Sequence, residues 1–271
     1  MSNPVIISVL LATLGWWFFT GIILLIVRLY DPSSADQRRR LCVATLPVAL
    51  GGLGLYAWGL SDSSLNSVYL SFLSVLLIWG WIELCFLTGQ ITGPNHTECP
   101  QNIAPWERFI RAWGTIAYHE ILLLAVLGLM IYASVGAENL FGLWTYIILY
   151  FARVSAKLNL FLGVPRINVE FVPHALRHLT SHFRVASVNW LFPVSSVALS
   201  FALACWIERL WAVQSPADIA GFSLLTALTA LALFEHWVMV LPLPDAKLWR
   251  WMLPPSNTHQ KTMPSEDYHG L

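Results

Sequence analysis

Seven long apolar segments constrain this sequence more than any other feature. Each has about 20 residues or more, the length at which a helix crosses a bilayer with all its backbone hydrogen bonds made internally. Of the 271 residues, 57% are hydrophobic and only 11% are charged, whereas a soluble domain has about 25% charged residues. We therefore predict an all-α integral membrane protein, with spans at 4–27, 42–60, 67–89, 112–135, 139–163, 186–207 and 218–241.

The distribution of Lys and Arg predicts the orientation of these spans. Fourteen of the 15 basic residues lie at 28–40, 108–111, 153–184 and 247–261, and the remaining one is Arg209. With seven spans, all four groups fall on the same side of the membrane. Because cytoplasmic connections carry the excess of positive charge, we predict a periplasmic N-terminus and a cytoplasmic C-terminus.

The chain reads as one polytopic membrane domain followed by a short tail. We assign 1–255 to the membrane domain, and we expect the polar residues 256–271 to be a disordered cytoplasmic tail because they have little apolar surface to bury. The formal net charge is zero, which argues against nucleic acid as a partner. The lipid bilayer is the partner that the composition requires.

Ionisable residues inside the spans are predicted to lie at one depth. Such residues are costly in a bilayer and are usually paired or functional. Since neighbouring helices run in opposite directions, all of those in this chain should fall in the cytoplasmic third of the membrane. They are Glu83, His119, Glu120, Arg153, Lys157, Glu235 and His236.

A histidine-bearing stretch follows the fifth span. The chain breaks at Gly163 and Pro165 and is predicted to restart at Pro173 as a short interfacial helix over 173–184. Glu170 precedes this helix and adds a carboxylate beneath the bundle. Three histidines should form one edge of the helix, and they are His174, His178 and His182.

Two principal interpretations of these polar groups stay open. Carboxylates and imidazoles converging from several helices can hold iron or another divalent metal, although the Glu-x-x-His spacing of di-iron bundles is absent. Alternatively, buried carboxylates can pair with Arg153 and Lys157 as structural ion pairs. A proton relay and the ligation of a chlorophyll-type pigment by histidine are further alternatives. The candidate metal ligands are Glu83, His119, Glu120, Glu170, His174, Glu235 and His236.

Several long motifs resemble one known family. KLNLFLGVP, WIELCFLTG, YHEILLL and EHWVMVLPLPDAKLWRW are similar to the photosynthetic complex assembly protein 2 family, of the PuhE type. The resemblance implies a multi-pass protein of the bacterial inner membrane. It further implies photosynthetic complex subunits or pigment-synthesis enzymes as partners, and bacteriochlorophyll as a possible bound group. It carries over no catalytic residue.

Three functions are therefore considered. We favour a factor that supports the assembly of reaction-centre and light-harvesting complexes or the supply of bacteriochlorophyll. The alternative is a membrane metalloenzyme that acts on a tetrapyrrole or isoprenoid precursor through the Glu and His cluster. A proton-coupled transporter ranks last, because no pair of broken helices recurs in equivalent halves of the chain. The sequence leaves open whether the protein is an enzyme.

Overall fold

The computed structural model describes residues 3–169 and 172–242. These residues are predominantly helical, and they contain no β-strand beyond an isolated bridge between Val164 and Val185. A 3-10 turn, His174–Leu176, leads into the short helix α6. The α-helices are α1 (Pro4–Tyr30), α2 (Ala35–Gly59), α3 (Leu65–Leu87), α4 (Pro105–Ala133), α5 (Phe141–Leu162), α6 (Arg177–Thr180), α7 (Leu191–Ala212) and α8 (Pro216–Val238).

The seven predicted spans correspond to the seven long helices, each of which is apolar and long enough to cross a membrane. Two helices begin seven residues earlier than predicted, and α7 begins five residues later. α2 begins at Ala35 and includes the basic run before 42, because Ser34 and Gln37 form a reciprocal capping box. α4 begins at Pro105, a residue whose fixed φ suits the first helical position. The all-α prediction is confirmed, and the orientation stays a prediction.

α3 is the central helix of the bundle. It packs against α1, α2, α5 and α8, and most of its residues are buried. Small residues allow close approach between helices in a membrane. At Gly52 of α2, for example, an added Cβ would lie only 2.9 Å from the carbonyl oxygen of Ser74 in α3. This close packing fixes the inward-facing side of α3 relative to its neighbours.

The connections at one end of the bundle pack together into a cap, which we define as the described segments 31–34, 88–104, 163–169 and 172–190. The backbone N–H of His174 donates to Asp31 Oδ1 at 2.9 Å, and that of Cys99 donates to Ser181 Oγ at 2.9 Å. Arg108 donates to the carbonyl oxygens of Phe161 and His182 at 2.8 and 2.7 Å. The cap therefore closes the bundle at the ends of α3, α5 and α8.

The short interfacial helix differs from the prediction over 173–184. Regular helix ends at Thr180, and the chain then turns so that the His182 carbonyl can accept from Arg108. Leu176 and Leu179 are buried against Phe86 of α3. His174 is exposed whereas His182 is buried, so the predicted single edge of histidines does not form. Glu170 and the tail 256–271 lie outside the described residues.

Candidate functional site

A partly open cavity of about 840 Å³ lies beneath the cap. Its walls come from α1, α3, α4, α5 and α8, and residues of the cap cover one side. The lining is predominantly apolar and rich in aromatic side chains, which include Trp16, Trp79, Phe86, Trp113, Phe161 and Phe183. Glu83, Glu120, Arg153, Lys157 and Glu235 also line it. The cavity thus collects five of the seven ionisable residues that the sequence places inside the spans.

The first polar contact in the wall joins α3 to α5. Arg153 donates to Glu83 Oε2 at 2.9 Å, and the Glu83 side chain is only 9% exposed. Its other oxygen, Oε1, makes no hydrogen bond and lies 3.7 Å from His119 Nε2. A buried carboxylate needs such a cation, since desolvation of a lone charge costs several kcal/mol. The pair therefore neutralises the charge that Glu83 carries into the bundle.

The second polar contact joins α4 to α5. Lys157 donates to Glu120 Oε1, and its Nζ also lies 3.1 Å from His119 Nδ1. The Lys157 ammonium lies 5.1 Å from the centre of the Phe86 ring, within the range of a cation–π contact. Although His119 and Glu120 are adjacent on α4, both reach Lys157, because its long side chain extends between them. This cluster and the Glu83 pair form one continuous charged wall.

Glu235 differs from the other two carboxylates. It lies near the end of α8, and it makes no ion pair with a Lys or Arg of the described chain. Many protein atoms surround the Glu235 side chain, yet it is accessible to solvent. Both hold because the side chain lines the open cavity. Trp16 of α1 hydrogen-bonds to its carboxylate. Glu235 therefore presents an acceptor to the cavity interior, with the Arg153 charge near it but paired to Glu83.

His236 faces away from this cavity and belongs to a separate polar network. Its Nδ1 lies 2.8 Å from the Ala232 carbonyl oxygen, and its Nε2 lies 2.9 Å from Ser155 Oγ. Ser155 also bonds to Ser195 at 2.8 Å, and Asn159 donates to Ser195 at 3.1 Å. The network ties α5, α7 and α8 together. The neighbours Glu235 and His236 thus lie on different sides of α8, Glu235 at the cavity and His236 in the polar network.

The candidate metal ligands do not all converge. Glu83, His119 and Glu120 are adjacent, but Arg153 and Lys157 make their closest contacts. His174 lies on the outside of the cap, where its Nε2 is 3.0 Å from an Arg177 nitrogen. Within residues 3–169 and 172–242, no group of three or more His, Cys, Asp or Glu side chains is arranged to hold a metal ion. Since Glu170 lies outside these ranges, a metal site stays a prediction.

A group of three histidines lies in the cap. The rings of His96 and His178 are 5.5 Å apart, and Nε2 of both His178 and His182 is buried without a hydrogen-bond partner. Burial lowers the pKa of His178, and the nearby His96 and His182 lower it further. Burial also lowers the pKa of His182. The folded cap therefore disfavours the protonated forms of His178 and His182.

Comparison with known proteins identifies the family. A family model described as "Protein of unknown function (DUF3623)" matches residues 1–260. The chain belongs to the DUF3623 family. It is 51% identical over 254 residues to a Rhodobacter capsulatus protein named "Uncharacterized 30.4 kDa protein in puhA 5'region", a match that covers 94% of this chain and 92% of that protein. No solved structure matches the chain.

Two features of this DUF3623 protein escaped sequence reasoning. No local sequence pattern indicates the cavity, because it depends on how five helices pack and on the space that remains between them. The network around Ser155 and Asn159 was also missed, since Ser and Asn in an apolar span resemble ordinary small or polar substitutions. One signal was available: Asn159 lies one turn from Ser155, on the same face of α5.

Proposed function

We propose that this protein is an inner-membrane factor that supports the assembly of photosynthetic reaction-centre and light-harvesting complexes or the supply of bacteriochlorophyll to them. Membership of the DUF3623 family and the relative from the puhA region, a photosynthesis gene cluster, support this proposal. So does the resemblance of several motifs to the PuhE-type assembly family. The predicted topology, with the C-terminus in the cytoplasm, puts the cap and the cavity on the cytoplasmic side of the bundle.

The large apolar cavity is the observation that best supports such a role. A volume of about 840 Å³ falls in the upper part of the range for ligand sites, about 300–1,000 Å³. Two of its three carboxylates are already paired with cations, so the interior is apolar and nearly neutral. This environment suits the holding of a lipophilic molecule on its way to a membrane complex.

A deletion strain of a photosynthetic bacterium tests the proposed function. We expect loss of the gene to lower the near-infrared absorption of the assembled complexes and to slow photosynthetic growth, while respiratory growth is unchanged. A plasmid copy of the full chain should restore both. Unchanged complex content in the deletion strain during the shift from respiratory to photosynthetic growth would contradict the proposal.

The adjacency of Glu83, His119 and Glu120 keeps a membrane metalloenzyme as the second candidate. These residues offer the oxygen and nitrogen ligands that iron, manganese or zinc accepts. The test is the metal content of the detergent-purified chain, with Glu170→Ala/His174→Ala and His119→Ala as variants. Stoichiometric metal that either variant loses would favour an enzyme that acts on a tetrapyrrole or isoprenoid precursor. Metal-free wild-type protein would argue against it.

A further inference from the structure

We propose that the cavity binds one planar, magnesium-containing tetrapyrrole and that the Glu235 carboxylate is its anchor, as an oxygen ligand to the central Mg²⁺. The inference rests on the proposed function for the choice of a pigment, and on the cavity itself for the place and manner of binding. It assigns to this chain a ligand, a site and a residue that contacts the ligand.

The size and the apolar lining of the cavity favour a large lipophilic occupant over a small polar metabolite. At about 30 Å³ for each molecule of liquid water, 840 Å³ corresponds to roughly 28 water molecules. An apolar space of that size is not stably filled by water, because water needs polar partners on the walls. A ligand with some tens of non-hydrogen atoms is the appropriate match.

The aromatic walls favour a flat, conjugated ligand over a flexible chain. Nine Trp and Phe residues line the cavity, among them Trp16 and Trp79 on one side and Phe161 and Trp113 on another. Aromatic rings contact a second π-system by offset stacking or edge-to-face packing, and such contacts stabilise a complex beyond the burial of area. A lipid tail would gain only the area term. A planar macrocycle gains both.

The charges in the wall identify the anchor. Arg153 and Lys157 already pair with Glu83 and Glu120, and Arg166, which also lines the cavity, donates to the Leu241 carbonyl oxygen. Glu235 is the carboxylate that faces the cavity without an ion pair in the described chain, and it receives a hydrogen bond from Trp16. Mg²⁺ is a hard cation that prefers oxygen ligands. Glu235 would therefore supply an oxygen ligand to the central Mg²⁺, which the ring nitrogens alone do not saturate.

The test uses the full chain in detergent with two purified probes, bacteriochlorophyll a and its metal-free form, bacteriopheophytin a. Binding is followed by quenching of Trp fluorescence, since Trp16, Trp79 and Trp113 line the cavity. We expect saturable binding of the magnesium form, tighter than that of the metal-free form by about tenfold or more, the range of one charge-assisted contact. Glu235→Leu should bind both forms equally.

Two cavity-filling variants test the location. Ala152→Phe places a ring in the cavity, and Gly80→Leu adds a smaller side chain at a position whose Cβ would meet Ile23 Cδ1 at an ordinary 3.4 Å. Both should weaken binding of bacteriochlorophyll a by about tenfold or more. Ala204→Phe, at an exposed position of α7, is the matched control and should bind like the wild type. A thermal unfolding scan of each variant confirms that it is folded.

The inference is overturned if the wild type shows no saturable binding, if Glu235→Leu retains the preference for magnesium, or if the filled variants bind as tightly as Ala204→Phe. Recovery of only phospholipid or isoprenoid from the purified chain would overturn it as well. Failure of the proposed function can be distinguished from failure of the binding site. A deletion strain with normal complexes would refute the assembly role, whereas specific pigment binding in vitro would still support the site.

Discussion

Lys157 carries a charge into the interior of the bundle, where the Glu120 carboxylate is its main partner. We predict that Lys157→Met lowers the free energy of unfolding by about 3–5 kcal/mol, because it leaves Glu120 buried without its cation. The double variant Glu120→Leu/Lys157→Met should recover most of that loss, since it removes both desolvated charges. Thermal unfolding in detergent measures the difference. If the single and double variants were equally stable, the pair would not be coupled.

Glu235 is the residue on which the proposed function depends most directly. In a deletion strain complemented from a plasmid, we predict that Glu235→Ala impairs photosynthetic growth, because the cavity loses its polar anchor. The control is Glu138→Ala, which changes a carboxylate in the connection between α4 and α5, at the opposite end of the bundle. Equal growth of Glu235→Ala and wild type would contradict the prediction.

At the residue scale, the depth of each ionisable side chain in the membrane could be predicted from the sequence. The neighbouring helix that the side chain faces could not. The positions of Glu83, Glu120 and Lys157 within their spans already indicated a shared depth. Which side of the helix each one faces depends on how the helices pack. For this reason the separate surroundings of Glu235 and His236 emerged only from the structure.

At the scale of the elements, the network around Asn159 holds α7 and α8 against α5. We predict that Asn159→Leu lowers the stability by about 1–2 kcal/mol, since interhelical hydrogen bonds in membranes are individually weak. Ser200→Ala, on the exposed side of α7, is the control and should change little. The measurement is the thermal unfolding midpoint. A midpoint that Asn159→Leu leaves unchanged would show that the network does not contribute to helix association.

The cap should respond to acid. In the folded cap, the pKa values of His178 and His182 lie below their usual 6.5, so the unfolded chain binds more protons than the folded one as the pH falls. The stabilisation is therefore complete above about pH 6.5 and is lost progressively below it. Hydrogen exchange should show weaker protection of 172–190 at low pH, after correction for the intrinsic exchange rate, with α3 unaffected. Equal protection at both pH values would contradict this.

The long helices were predictable because length and hydropathy alone decide them, and caps such as Ser34 explain the shifted boundaries. The segment after α5 was less predictable. Its helix is short because contacts from other segments, such as Arg108 to the His182 carbonyl, stop it early. Such contacts join residues that are far apart in the sequence, so they cannot be predicted from local periodicity.

At the scale of the whole molecule, orientation is a testable expectation. With fourteen of its 15 basic residues on one side of seven spans, the chain should place its C-terminus in the cytoplasm. A fluorescent protein fused after Leu271 should fluoresce, and alkaline phosphatase fused there should be inactive. A fusion in the connection between α4 and α5 should behave in the opposite way. The reverse pattern at both sites would invert the topology and move the cavity to the periplasmic side.

The central claim is that the cavity holds a tetrapyrrole pigment while photosynthetic complexes are supplied with it. The most direct measurement is the pigment content of the full chain purified from photosynthetically growing cells, alongside Ala152→Phe and its control Ala204→Phe. The account predicts bacteriochlorophyll or a close precursor bound stoichiometrically to the wild type and the control, and lost from the filled variant. Colourless wild-type protein, or pigment that the filled variant retains, would contradict it.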